Sequence, residues 1–299
     1  MKQNTGPAPY KEDQAGRDDK VNRVTLILRK EWLELRQERG LIIGTLLPPL
    51  FFTVLPVLLA WVVGVVPHKG SLIAPPPNLG SGISVGGPGT AAPIVQTDPT
   101  LQGMDTQTVE QAVIGSQFSI LFMLMPIVIP AVIASYSIVG EKTGRTLEPV
   151  LATPVSVREL LIGKTLAAFL PAVVITWLGA GAFVAGMALV ALSPRVVEHI
   201  VTLPWILACL LCAPLMSLIA IGLTVAVSSR VRDPRTAQQI ATVLIFPVMG
   251  VLLGRITGLL VLDAFFVLVA SLVLGTAAAL VLWLAVRMFK REIILTRWS

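Results

Sequence analysis

Four groups of residues have types and spacings from which chemistry could be built. Gly163-Lys164-Thr165 has the ending of a phosphate-binding loop, where backbone N–H groups cradle phosphates and a lysine reaches the outermost ones. That motif needs another glycine five residues before Gly163 and a buried strand leading into it; Arg158 occupies the position. Glu198-His199 lacks the second histidine of a zinc-binding helix. His68 with Asp98 and Asp105 has no spacing that would assemble a metal or acid–base set. Cys209 and Cys212 form a C-x-x-C pair, but they lie in an apolar run with nothing polar beside them and no second pair. They read as two small packing residues. The sequence thus offers no nucleotide site, no metal site and no catalytic residue of its own.

The surrounding elements explain why. Of 299 residues, 55% are apolar and 13% charged, and the mean hydropathy is +0.81. A soluble domain carries about 25% charged residues. This composition excludes a soluble enzyme, a disordered chain and a nucleic-acid binder, although the net charge of +6 would otherwise invite the last. Residues 1–40 are charge-rich and the first apolar run is too long for the core of a secretory signal, so no cleavable leader is expected.

A spanning helix needs about 20 apolar residues to cross roughly 30 Å of hydrocarbon. Six charge-free stretches meet or approach that: 41–66, 112–139, 165–192, 203–228, 238–254 and 264–286. An all-α polytopic membrane protein with six transmembrane helices is therefore expected. All basic residues except Lys69, Arg195 and Arg255 fall in the N-terminal tail, the loops 140–164 and 229–237, and the C-terminal tail. Positive residues stay cytoplasmic, which puts both termini inside, as an even number of crossings requires. Prolines recur in the spans, and Gly181, Ala185 and Gly186 would permit close helix contact in the third.

Residues 1–20 read as a disordered cytoplasmic tail. In 21–40, Val21, Val24, Ile27, Leu28, Trp32 and Leu35 share one side of a helical wheel, with Arg29, Lys30, Arg36 and Arg39 elsewhere. That pattern predicts an amphipathic helix lying in the membrane plane; Leu26 and Leu33 interrupt its polar side. The outer loop 67–111 is rich in Pro and Gly and cannot pack a core. The loop 140–164 is richer. Leu147, Val150 and Leu151 give a short apolar face, Pro154 ends it, and Ser156 with Glu159 forms a capping box that starts the next helix. A short helix held between two spans can carry a push from outside the bilayer into both.

Glu141, Gly144, Thr146, Leu147 and Glu148, then Leu151-Ala152-Thr153-Pro154 and Ser156, with Glu159 and Gly163-Lys164, resemble the corresponding loop of ABC-2 type permeases, the membrane-spanning subunits of one class of ATP-binding-cassette exporters. Leu28-Arg29-Lys30-Glu31 is similar to that family's N-terminal elbow helix. Ser228-Ser229-Arg230-Val231, Ala237-Gln238-Gln239 and Arg287-Met288-Phe289-Lys290-Arg291-Glu292 extend the similarity over nearly all of 21–299. The resemblance implies a six-helix permease that forms a homodimer with a second copy and pairs with two copies of a separate ATPase subunit. ATP and Mg would be bound by that partner, with no cofactor in this chain. It implies that Glu148–Ser156 is a coupling helix, and that Val24, Leu28, Arg29, Lys30, Trp32 and Leu35 belong to the elbow. It further implies a re-entrant element on the outer side, to which Arg255, Leu259 and Asp263 would belong. The Pro/Gly-rich outer loop departs from relatives that carry a folded domain there.

Two other classes compete with an ATP-driven exporter in the prokaryotic cell membrane. An ion-gradient-driven carrier often places ionisable residues at membrane depth, and the charge-free stretches have none. An intramembrane enzyme or scaffold would want polar or metal-binding groups there, and only scattered Ser, Thr, Tyr136 and Cys are present.

Overall fold

In lipid a backbone must satisfy its hydrogen bonds internally, and a helix does so within one segment. All the regular structure described in this computed structural model is accordingly helical. It covers residues 25–33, 39–65, 105–143, 157–228, 242–256 and 262–288, with Thr236 and Gln239. The predicted tail 1–20, loop residues 67–104 and the segment 144–156 lie outside the described residues.

Helix α1 covers 25–33 and α2 runs Arg39–Val65. Helix α3, Thr106–Leu121, passes through a 3-10 turn, Phe122–Leu124, into α4, Met125–Thr143. Helix α5 is Val157–Val190, 34 residues without a break despite Pro171. A short α6, Pro194–Ile200, leads to α7, Leu203–Leu207, which continues through a π-helical turn, Ala208–Cys212, into α8, Ala213–Ser228. Helix α9 is Ile245–Ile256 after a 3-10 turn, and α10 is Ala264–Met288.

Among the described residues, five apolar helical stretches are long enough to cross a bilayer: Leu41–Val65, Gln107–Ser137, Glu159–Val190, Leu203–Ser228 and Ala264–Arg287. At the place of the expected crossing 238–254, the apolar helix Thr242–Gly254 is shorter. At 1.5 Å per residue it covers roughly 20 Å of a roughly 30 Å core. The charge-free stretches understate two helices. Glu110 and Gln111 lie inside α3, and Glu159 and Lys164 inside α5, so ionisable residues do occur within the apolar helices, towards their ends.

The α3–α4 stretch is the hub: 78% of its apolar window is buried, against 11% for α10. Phe122, Met125 and Ile129 of the hub pack with Phe183 and Met187 of α5 and Ile221 of α8. The Phe122 and Phe183 rings stack with centroids 6.2 Å apart. Helix α2 lies against α3 and α5, and α8 against α4 and α10. Gly186 lets α2 and α5 close up, since a Cβ there would stand 2.7 Å from Val57 Cγ2; Gly181 has nothing within 4 Å.

The two cysteines, both free and buried, sit in the π-helical turn. The turn has a definable cause. The Ala213 N–H bonds the Ala208 carbonyl, and the next residue, Pro214, has no N–H to give. The Cys209 carbonyl is thereby left without a backbone donor, and the Trp177 indole N–H of α5 supplies one at 3.0 Å. Such re-satisfaction from a neighbouring helix is what makes a proline tolerable in a membrane span.

Candidate functional site

The residues that could transmit motion gather where α1 meets α4 and α5. On α1, Ile27 and Leu28 are half-buried and Glu31 is buried, while Leu26, Trp32 and Leu33 are exposed. The face packed on α4 and α5 therefore centres on a carboxylate, and Trp32, assigned to the side buried in the bilayer, lies off that face. Arg29 is exposed and Lys30 half-buried; Val24 and Leu35 lie outside the described residues. Leu26 and Leu33 do break the polar side, at 65% and 53% exposure.

An isolated carboxylate cannot be buried charged without a partner. The partner is Lys164, in the first turns of α5. Its Nζ lies 2.7 Å from Glu31 Oε1, with both side chains only 3% exposed. Ser137, near the end of α4, completes the joint. Its hydroxyl donates to Glu31 Oε2 at 2.6 Å, and the Lys164 ammonium donates to the Ser137 carbonyl at 3.0 Å and to its Oγ at 3.1 Å. The ammonium has three protons and finds three acceptors. Three helices are thus tied by one hydrogen-bonded ion pair. Gly163 makes the approach feasible: a Cβ there would lie 2.7 Å from Ile27 Cγ2. The Gly-Lys-Thr triplet that resembles a phosphate loop serves instead as a helix contact and an ion-pair partner.

This joint closes the base of the segment between α4 and α5. Helix α4 runs to Thr143 and α5 begins at Val157, so both extend out of their apolar stretches towards it. Glu141 is in the last turn of α4. Gly144, Thr146, Leu147, Glu148, Leu151, Thr153, Pro154 and Ser156 lie outside the described residues. Arg255 is in the last turn of α9, and Leu259 is outside the described residues. Asp263 is the N-cap of α10, its Oδ1 accepting the Phe266 N–H at 2.8 Å.

A second polar joint lies at the other end of α5, where it ties α5 to α2 and α3. Gln111 of α3, placed by the sequence reading in the outer loop, is fully buried. Its Nε2 donates to the Ala60 carbonyl of α2 at 2.8 Å and to the Val190 carbonyl at 3.3 Å, and its Oε1 accepts the Leu192 N–H at 2.9 Å. The amide thereby caps the C-terminus of α5, where carbonyls have no intrahelical partner.

Glu31, Ser137, Lys164 and Gln111 escape sequence reasoning as a set because nothing local pairs residues 133 apart in sequence. The available signal is a lysine entering a run of uncharged residues, a placement that asks for a buried counter-ion. Among the described residues no group of His, Cys, Asp and Glu could hold a metal.

A comparison with curated proteins returned no match. The family model described as ABC-2 family transporter protein matches residues 25–266, from the first turn of α1 into the start of α10. With most of its length matched and its apolar helices long enough to cross a bilayer, the chain belongs to the ABC-2 transporter family and is a multi-pass membrane transport protein.

Proposed function

We propose that the chain is the permease subunit of an ATP-binding-cassette exporter, driven by ATP hydrolysis on a separate ATPase subunit. The family match over residues 25–266 carries this reading. The working complex is a homodimer of permeases with two ATPase copies in the plasma membrane, and ATP and Mg belong to the ATPase. The segment 140–164 receives the ATPase, with Glu148–Ser156 as the coupling helix and α1 beside it in the membrane plane. The span 238–254, which includes most of α9, is the fifth of six crossings, and Arg255 to Asp263 form an outer re-entrant element before the sixth, which leaves both termini cytoplasmic. The distribution of Lys and Arg supports that orientation. Direction of transport follows from differential affinity of the cargo for inward- and outward-open states.

The test is co-expression with the ATPase encoded beside it. The two should co-purify, and Glu148→Ala or Leu151→Asp should abolish recovery of the ATPase. Retention by both variants, ATP turnover by the permease alone, or reporter fusions placing residues 144–156 outside the cell would each overturn the assignment.

A further inference from the structure

Helices α4 and α5 are joined through the driven segment itself, so a push on 144–156 reaches them along the chain. Helix α1 has no such covalent link. It precedes α2 in sequence, and Glu31 ties it to the two helices that flank the loop. We propose that the Glu31–Lys164–Ser137 joint is a positioning element that makes α1 move as one body with the base of the 140–164 loop, so that the loop drives α2 through α1.

Three observations support this. The two charged side chains are only 3% exposed, and two desolvated charges in contact resist separation more than a neutral contact does. It holds both oxygens of one carboxylate, one to α4 and one to α5, so neither helix can shift against α1 without breaking a charge-assisted bond. Gly163, next to Lys164, seats α1 directly on α5 through Ile27. Helix α2, which follows α1, leaves most of its apolar stretch uncovered by the rest of the chain, with 17% buried.

The proposal rests on the permease reading, and the experiment separates the two. The complex of full-length chain and ATPase is reconstituted in nanodiscs, and amide hydrogen exchange is followed with and without ATP and vanadate. In the wild type, peptides covering 25–33, 157–165 and 41–50 should change together on trapping. In Glu31→Gln/Lys164→Met, which removes both charges and keeps the volume, 157–165 should still respond while the responses of 25–33 and 41–50 are lost. Ser137→Ala, which keeps the ion pair, should retain all three. The response of 157–165 shows that the double variant is folded and engaged by its ATPase, which a purely structural defect would not allow. Survival of the α1 and α2 responses in the double variant, or their absence in a wild type whose 157–165 responds, overturns the proposal and leaves the permease reading intact. A wild type in which no peptide responds sinks both.

Discussion

At the α1 end a carboxylate, an ammonium and a hydroxyl bind three helices together; at the far end of α5 one neutral amide does the equivalent work. Glu31, Ser137 and Lys164 leave no charge unpartnered, and Gln111 likewise uses both donors and its carbonyl oxygen. The two joints differ in the consequence of a break. Removing one member of a buried ion pair strands the other charge, whereas removing an amide strands only neutral backbone groups. One end of the bundle is thus costly to open and the other cheap.

Several substitutions test that contrast, in falling order of effect. Lys164→Met leaves Glu31 buried without its counter-ion, held only by the Ser137 hydroxyl, and should cost about 3–5 kcal/mol, read as a large drop in thermal midpoint in detergent. Adding Glu31→Gln should recover most of it, because no charge then remains to be stranded. Gln111→Leu should cost about 1–3 kcal/mol, through the Val190 carbonyl and Leu192 N–H it leaves unsatisfied. A loss equal to that of Lys164→Met would erase the difference between the two ends. Gly163→Ala should cost about 1 kcal/mol, the low end of overpacking, since Ile27 must shift to admit the methyl. Trp177→Phe, away from both joints, should cost only about 0.6 kcal/mol, the mean for an interhelical hydrogen bond in a membrane bundle. The same melting series measures it.

The helical membrane character was legible because hydropathy reports environment directly: a run such as Leu203–Ser228 has few other places to be. Helix ends were less legible, since charge-free length marks where hydrocarbon stops rather than where the helix does. Helix α5 begins at Val157, eight residues before its charge-free stretch, and α3 takes in Gln111. The protein-facing side of α1, centred on Glu31, was not legible for a related reason. A helical wheel ranks positions by polarity, and a carboxylate is turned inward only by a lysine that lies elsewhere in the chain. The π-helical turn has a local trace in Pro214, but its stabilising donor, Trp177, comes from another helix.

Helix α5 contains a residue of each joint, Lys164 near its start and Val190 at its end. The interval is a continuous rod of about 39 Å at helical rise, longer than the hydrocarbon is thick. Pro171, within that interval, removes one hydrogen bond from the ladder and is where such a rod bends most readily. Lys164 and the amide seal are thus two fastenings on one helix, with a proline between them.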